Sequence, residues 1–417
     1  MEKTFLILFL IIGAYKCELK TYSHLNNESN LYFVLTSFRH GARTPLIKKD
    51  SFQNIIKNPG RLTAYGKLQH LIIGKKYRKR YYNFLNLNKS ENFDKEQLLV
   101  KSTTIKRTLI SAQKQLEGLF NTTKNNDNIK IVSIKNTMNL YIFNINEVQK
   151  VYNSKAYCNT LRKLNEKTNK NKNKKKLEIK NHFKDTIVPE FKRCYGHTNF
   201  GQKGHFCESI ISAYFDYKYN NQTTNIIGKC GNKTAKLFFD YCVKLYDSYR
   251  GWDEKKAYIF VIFFKTIYNY MKGAIDGKSK LKMIMLGGHD TTVSPLMNFL
   301  HGLKIINRTE YPHYAYNIVF ELRKYNNEFY LEIYYNDYLK YNKTINTFMD
   351  TLKNSKYGDL DNLCGNKKKY SNNLFKLRKK IIFPLLYHKN NIIIACIIIC
   401  INILIIIYST VRCYRKR

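Results

Sequence analysis

The chain has 417 residues, and 72 lysines and arginines against 30 aspartates and glutamates give it a formal net charge of +42 at neutral pH. So large a positive charge is typical of proteins that bind nucleic acids or anionic membranes. The basic residues, however, are mostly lysines spread along the whole sequence, with no compact stripe interleaved with aromatic residues. The composition therefore argues against a nucleic-acid partner. The length allows two domains, or one large domain with an insertion.

The first residues of the chain are typical of a secretory signal peptide. Lys3 precedes an unbroken apolar segment, residues 5–12, which is followed by small residues. This segment is too short to span a bilayer. We therefore expect residues 1–17 to be cleaved and the remaining chain to enter the secretory pathway.

Residues 18–140 alternate between strand and helix patterns. The run LYFVLTSF, residues 31–38, is continuously apolar and of strand length, and EQLLVKST, residues 96–103, is a second candidate strand. A segment with helical spacing of apolar residues follows each strand, at 63–85 and at 105–120. This alternation predicts an α/β fold with a mostly parallel central sheet flanked by helices, of which these residues form the first part.

The middle of the chain, residues 141–251, differs in composition. It contains most of the cysteines found between residues 18 and 390, aromatic helical stretches such as SIISAYFDYKY, and the run KTNKNKNKKK. We interpret the run as a solvated loop and its surroundings as a mainly helical cap domain inserted into the core. In an oxidising compartment six cysteines can form three disulfides, but their spacing does not select the pairs. The six are Cys158, Cys194, Cys207, Cys230, Cys242 and Cys364.

The sheet pattern resumes in residues 252–390, which we predict to be the second part of the α/β core. A helical stretch, AYIFVIFFKTIYNYMKGAI, precedes the buried-strand pattern KLKMIMLGGHDTT, and EFYLEIYYND alternates like a later strand.

A long apolar segment, residues 392–411, follows the core and matches the thickness of a bilayer. Basic residues dominate the segment after it, 412–417, as expected for a cytoplasmic tail. These features predict a single C-terminal transmembrane helix and a type I membrane protein. Its ectodomain would lie in the lumen of the secretory pathway, in the lysosome or at the cell surface, and the sequence does not choose between the last two.

Cationic side chains cluster directly after the first predicted strand. In the stretch SFRHGARTP, Arg39, His40 and Arg43 lie within five residues of one another. Ligands of open parallel sheets bind beyond the carboxyl ends of the strands. Two guanidinium groups also match the oxygens of a tetrahedral oxyanion better than lysines would. Taken alone, the RHG motif would fit an exposed turn better than a binding site.

A second strand end favours a binding site over an exposed turn. The stretch IMLGGHDTT places His289 and Asp290 after their own apolar strand, and Arg107 lies near a helix start after another strand. Strand ends of one parallel sheet can converge on a single pocket, which would then hold cationic donors, a candidate nucleophile and a candidate acid.

These stretches resemble the motifs of the histidine acid phosphatases, the branch-two histidine phosphatases that include lysosomal and prostatic acid phosphatases. RHGARTP fits the family pattern R-H-G-x-R-x-P. STTIKRTLISA resembles the element that carries a third arginine, and GGHDTTVSPLMNFL resembles the His-Asp motif. The resemblance extends over most of the ectodomain and is weakest in the predicted cap.

The resemblance implies a division of roles. His40 would attack phosphorus and form a phosphohistidine, while Asp290 would protonate the leaving alcohol and then serve as the base for water. The groups that would hold the phosphoryl oxygens are Arg39, Arg43, Arg107 and His289. Three arginines can neutralise a phosphoryl group unaided, so we expect no metal and no cofactor. A neutral imidazole and a protonated carboxyl coexist most easily in mild acid, so we expect an acid optimum.

One part of the family pattern is altered. Members usually read S-T-D-x-D-R-T around the third arginine, whereas this chain has Thr104 and Lys106 at the two acidic positions. If a carboxylate normally orients that arginine, Arg107 would be held less firmly and turnover would be slower.

The leading interpretation is an acid phosphatase that hydrolyses small phosphate monoesters. One alternative with the same fold is a phytase or another inositol polyphosphate phosphatase, because a basic surface favours highly phosphorylated substrates. Another is a catalytically weak ectodomain that binds phosphorylated ligands without turning them over. Because family members are often dimers, a homodimer is also considered.

Overall fold

The computed structural model describes residues 30–46, 58–87, 93–122, 129–135, 137–143, 174, 177–196, 203–220, 225–250, 254–307, 311–355 and 357–358. The predicted signal peptide (1–17), transmembrane helix (392–411) and tail (412–417) lie outside these residues. Within the described part of the chain, no helix combines the length and the apolar character needed to cross a membrane.

Seven strands form one sheet in the order β3-β2-β4-β1-β5-β6-β7. Their bounds are β1 Leu31–Arg39, β2 Leu98–Thr103, β3 Ile131–Ile134, β4 Met283–Gly288, β5 Asn317–Tyr325, β6 Glu328–Tyr335 and β7 Tyr338–Thr344. Strand β1 lies at the centre and is buried along almost its whole length, which explains its continuous apolar sequence.

The sheet is mixed rather than mostly parallel. Strands β1 to β4 run parallel to one another, whereas β5, β6 and β7 pair antiparallel with their neighbours. Asn326 and Asn327 alone connect β5 to β6, and Asn336 and Asp337 alone connect β6 to β7, all four with positive φ. A two-residue turn of this kind reverses the chain, so the strands that it joins are necessarily antiparallel.

Eight α-helices accompany the sheet in the described residues. They are α1 Ala64–Arg80, α2 Lys106–Phe120, α3 Val188–Tyr195, α4 Lys203–Asn220, α5 Asn225–Arg250, α6 Glu254–Ile275, α7 Asp290–Gly302 and α8 Ile345–Asn354. Helices α1 and α2 pack on one face of the sheet. On the other face, Phe264 of α6 contacts Phe299 of α7, Phe320 of β5 and Phe348 of α8. The result is an α/β fold in which helices cover both faces of the sheet.

Helices α1 and α2 contact each other through glycine. A Cβ atom on Gly74 would lie 2.1 Å from the carbonyl oxygen of Gln115, and one on Gly118 would lie 2.3 Å from that of Leu71. This approach of the two backbones decides which face of α1 is buried. Leu68 and Ile72, which contribute to the apolar pattern of the helix, are therefore exposed at 46% and 41%.

Helices α3, α4 and α5, here called the helical cluster, lie between β3 and β4 in the sequence and share an aromatic core that includes Phe191, Phe206 and Phe238. Two disulfides, Cys194–Cys230 and Cys207–Cys242, tie α3 and α4 to α5. The other two ectodomain cysteines, Cys158 and Cys364, lie outside the described residues. Three residues from loops near the sheet, Ala42, Tyr311 and Tyr314, belong to the same core.

We expect Gly74→Ala to destabilise the protein, although alanine normally favours a helix over glycine. The added Cβ would overlap the Gln115 carbonyl, so the free energy of unfolding should fall by about 1–3 kcal/mol. Urea unfolding of the purified protein measures the change. Gln113→Ala, at an exposed position of α2, is the control and should change stability by less than about 0.5 kcal/mol. An unchanged or higher stability for Gly74→Ala would contradict the glycine contact.

Candidate active site

Three parallel strands end at the same edge of the sheet. Arg39 of β1 is paired with Gly288 of β4, and the backbone N–H of His40 continues the pattern by donating to the Gly288 carbonyl at 2.9 Å. His289 follows Gly288 directly, so the His40 and His289 rings lie 5.3 Å apart, centroid to centroid. Strand β2, on the other side of β4, leads into the helix that carries Arg107. The strand ends thus bring the predicted residues together.

The loop that carries His40 is fixed on the first turns of α1. Gly41 approaches so closely that a Cβ atom there would lie 2.2 Å from the carbonyl oxygen of Gly66. The backbone N–H of Ala42 donates to Gln69 Oε1 at 2.9 Å, and Thr63 Oγ1 donates to the Ala42 carbonyl at 3.0 Å. The glycine of the RHG motif therefore allows the loop to lie against the helix, and the following residues hold it there.

The contacts of His40 define its protonation. Nδ1 lies 2.8 Å from the carbonyl oxygen of Gly41, which can only accept, so Nδ1 carries the proton and Nε2 has a free lone pair. Burial holds the pKa of the imidazole well below its ordinary value, and the guanidinium groups of the three arginines lower it further. His40 is therefore a neutral imidazole with an unprotonated Nε2, the form that a nucleophile requires.

The three arginines are held in different ways. Arg39 Nη1 donates to the Pro312 carbonyl at 2.7 Å, and its guanidinium lies 4.6 Å from the ring centroid of Tyr314. Arg43 Nη1 donates to Glu208 Oε1 at 2.5 Å. The Nε atoms of Arg39, Arg43 and Arg107 are buried and have no hydrogen-bond partner among the described residues. Buried donors without a partner are unfavourable, and an oxyanion would satisfy them.

Arg107 and His289 contact each other directly. Arg107 Nη2 can only donate, so His289 Nδ1, 3.3 Å away, accepts, and His289 Nε2 carries a proton for Thr103 Oγ1 at 3.0 Å. Burial and the Arg107 guanidinium lower the pKa of His289 to about 3, which keeps the ring neutral. Burial, with repulsion from Arg43, lowers the pKa of Arg107 to about 10. No carboxylate of the described residues forms a salt bridge with Arg107, consistent with the loss of the two acidic residues of the family pattern.

The two residues at those acidic positions, Thr104 and Lys106, are both exposed. In the described residues, the side-chain contact that orients the Arg107 guanidinium is therefore the one with His289.

Glu208 on α4 is a site residue that the sequence did not indicate. It accepts hydrogen bonds from Arg43 and, at 3.2 Å, from the backbone N–H of Leu46. Burial favours the neutral acid, but the Arg43 guanidinium outweighs it and lowers the pKa of Glu208. Conversely, burial disfavours the charged guanidinium, but Tyr314 and Glu208 raise the pKa of Arg43. The only sequence signal for Glu208 is one acidic residue within the apolar stretch FCESIISAYF.

Asp290 is the first residue of α7 and receives donors on both carboxyl oxygens. The backbone N–H of Thr291 donates to Oδ1 at 2.7 Å, and the Tyr311 hydroxyl donates to Oδ2. Arg39 Nη2 also lies 3.5 Å from Oδ2. Tyr311, like Glu208, was not predicted, because nothing in the segment before β5 distinguishes it from the neighbouring tyrosines.

The comparison with known families agrees with this geometry. A family model described as "histidine phosphatase superfamily (branch 2)" matches residues 30–336. The chain is 30% identical to prostatic acid phosphatase from Homo sapiens over 329 residues, which cover 73% of this chain and 77% of that protein. It is 28% identical to prostatic acid phosphatase from Bos taurus over 330 residues, which cover 75% and 78% of the two chains. The chain therefore belongs to branch 2 of the histidine phosphatase superfamily.

A solved structure shares the fold. The crystal structure of the phytase from D. castellii matches with a TM-score of 0.54 and 14% sequence identity, covering 81% of this chain and 82% of that one. At this identity the likeness concerns the fold alone. It agrees with a mixed sheet flanked by helices.

We expect Glu208→Ala to destabilise the protein more than Glu208→Gln. Both variants remove the carboxylate charge beside the buried Arg43 guanidinium, but alanine also removes the hydrogen-bond acceptor, and loss of a whole buried partner typically costs about 3–5 kcal/mol. Chemical unfolding of the two variants at pH 7 measures the difference. Equal stabilities of the two variants would show that the hydrogen bond from Arg43 to residue 208 does not stabilise the folded protein.

The same pair also predicts a pH dependence. Because the folded-state pKa of Glu208 is lowered, the ion pair contributes stability above the unfolded-state pKa of about 4.3 and loses it as the pH falls through the folded-state value. The stability advantage of the wild type over Glu208→Gln should therefore shrink as the pH falls below about 5. Urea unfolding of both proteins over a series of acidic pH values measures this, and a difference that stays constant would contradict it.

Proposed function

We propose that this protein is an acid phosphatase that hydrolyses phosphate monoesters, with His40 as the nucleophile. One observation carries the proposal: a buried neutral imidazole, with its tautomer fixed by the Gly41 carbonyl, lies among three guanidinium groups. An unprotonated nitrogen lone pair beside concentrated positive charge suits attack on an anionic phosphorus centre. The prostatic acid phosphatases to which the chain is similar are named for the same chemistry.

In the first step, His40 Nε2 forms a bond to phosphorus as the bond from phosphorus to the leaving oxygen breaks. Asp290 gives its proton to that oxygen, so the alcohol leaves neutral and the carboxyl becomes a carboxylate. In the second step, water attacks the phosphohistidine, its proton passes to Asp290, and the bond between nitrogen and phosphorus breaks. Inorganic phosphate then leaves, and both residues regain their starting states.

The arginines supply most of what phosphoryl transfer requires from a protein, which is positioning and charge neutralisation. Arg39, Arg43 and Arg107 would bind the equatorial oxygens, and their unpaired Nε–H groups support that role. His289 is proposed as a further donor to phosphate. In the present arrangement its N–H contacts Thr103, so its ring would have to exchange that contact for phosphate.

The substrate class follows from the balance of charge around the site. The Glu208 carboxylate pairs with Arg43 and offsets part of the positive charge of the three arginines, which favours one phosphoryl group over several. The high net positive charge of the chain supports the second candidate, a phytase or another inositol polyphosphate phosphatase. Turnover of p-nitrophenyl phosphate against phytate distinguishes the two. A domain that binds phosphorylated ligands without turnover would hydrolyse neither.

We also propose that the protein is a type I membrane glycoprotein and that its helical cluster forms a cap over the site. The position of the cluster between β3 and β4 and its contribution of Glu208 support the cap. Disulfides support a lumenal or extracellular ectodomain, in the lysosome or at the cell surface. Four asparagines in glycosylation sequons are exposed and would be accessible to glycosylation in that compartment: Asn121, Asn232, Asn307 and Asn342. The single membrane span and the homodimer stay predictions.

We expect His40→Ala to lower kcat/KM for p-nitrophenyl phosphate by about 10³-fold or more, because the covalent route is lost. Asp290→Asn should lower the turnover of an alkyl phosphate by about 10²–10⁴-fold, the usual contribution of a general acid. Phosphate release by the purified wild type and the two variants measures both effects. Rapid denaturation during turnover should trap phosphohistidine on the wild type and not on His40→Ala. Equal phosphate release by the wild type and His40→Ala would overturn the proposal.

The activity should be highest in mild acid. Because the pKa of His40 is lowered, its imidazole stays neutral below the ordinary histidine pKa of about 6.5 and becomes protonated only as the pH falls through the lower value. A protonated Asp290 is favoured as the pH falls, so the two required forms overlap on the acidic side of neutrality. The pH profile of kcat/KM on p-nitrophenyl phosphate measures this, and a maximum above pH 8 would contradict it.

A further inference from the structure

Tyr311 contacts both the proposed proton donor and one of the phosphate-binding arginines. Its hydroxyl donates to Asp290 Oδ2, and its ring centroid lies 5.5 Å from the Arg39 guanidinium carbon. The next residue, Pro312, accepts a hydrogen bond from Arg39 through its carbonyl. The segment before β5 therefore reaches two groups that β1 and β4 bring together.

The hydrogen bonds of Asp290 determine how its carboxyl group is oriented. An aspartate side chain rotates about two bonds, and one hydrogen bond would leave one rotation poorly defined. Here the Thr291 backbone N–H binds Oδ1 and the Tyr311 hydroxyl binds Oδ2, so both oxygens are fixed. Arg39 Nη2 also lies 3.5 Å from Oδ2. Among these donors, the Tyr311 hydroxyl is the one that can be removed without altering α7 or a phosphate-binding arginine.

We propose that Tyr311 is the positioning residue of Asp290 in the acid step of the reaction, an inference that rests on the proposed function. As the proton passes from the Asp290 carboxyl to the leaving oxygen and the bond between that oxygen and phosphorus breaks, a negative charge develops on the carboxyl group. The Tyr311 hydroxyl donates to that charge and keeps its own proton throughout. The contact both orients the acid and stabilises the carboxylate that remains.

A packing role is the competing explanation, because Tyr311 is buried and belongs to the aromatic core of the helical cluster. The two roles differ in their dependence on the substrate. Loss of packing would impair every substrate alike. Loss of acid positioning would impair only substrates whose leaving group needs a proton, since p-nitrophenolate departs as an anion whereas an alkoxide does not.

The test is Tyr311→Phe, which removes the hydroxyl and keeps the ring over Arg39. The measurement is kcat/KM, which reports phosphoenzyme formation, for p-nitrophenyl phosphate and for glycerol 2-phosphate. We expect a loss of about 10-fold or more with glycerol 2-phosphate and of less than about 3-fold with p-nitrophenyl phosphate. Tyr311→Leu, which also lacks the hydroxyl, should give the same ratio between the two substrates.

Two controls separate this result from an effect on folding. Tyr316→Phe removes a buried hydroxyl from the same segment and should leave the ratio between the substrates unchanged. In the double variant Asp290→Asn/Tyr311→Phe, turnover of glycerol 2-phosphate should equal that of Asp290→Asn alone, because Tyr311 acts only through Asp290. Equal losses with both substrates, or additive losses in the double variant, would overturn the inference.

The outcome for the wild type tests the proposed function separately. A wild-type protein that hydrolyses neither phosphate ester would contradict phosphatase activity. An active wild type together with an unchanged substrate ratio in Tyr311→Phe would contradict only the role of Tyr311.

Discussion

Repulsion among three guanidinium groups, buried around one imidazole, is the constraint on which the rest of the site depends. Each arginine is stabilised by a different neighbour: Arg39 by the Pro312 carbonyl and a tyrosine ring, Arg43 by Glu208, and Arg107 by a neutral histidine. Only one of these neighbours is a strong ion-pair partner. The remaining positive charge keeps His40 unprotonated and favours an anionic ligand. The same repulsion that would destabilise the folded chain is therefore the source of its proposed chemistry.

The proximity of His40 and His289 could be predicted from the sequence because it follows from local patterns alone. Each histidine follows a continuous apolar strand, and the carboxyl ends of parallel strands share an edge. Glu208 and Tyr311 could not be predicted in this way. Glu208 is 165 residues from Arg43 in the sequence and lies on a helix whose pattern reports only its apolar face. Long-range pairing of polar side chains has no periodic signature in a single sequence.

The differences between the predicted fold and the observed one also have specific causes. The pattern predicted a mostly parallel sheet because strands and helices alternate in the first part of the chain. The last three strands differ: β5 pairs antiparallel with β1, and the two-residue turns after β5 and β6 make β6 and β7 antiparallel to their neighbours as well. Likewise, helix α1 was predicted while its buried face was not, since close backbone contact at Gly74 outweighed the apolar residues Leu68 and Ile72. Hydrophobic periodicity identifies an element more reliably than it identifies what the element contacts.

The disulfide Cys207–Cys242 has a consequence beyond the stability of the helical cluster. Cys207 directly precedes Glu208, so the carboxylate that balances Arg43 is attached to a covalent cross-link between α4 and α5. That cross-link forms in an oxidising compartment and not in a reducing one. The position of the carboxylate that balances Arg43 is thus restrained covalently, and reduction of Cys207–Cys242 would remove that restraint.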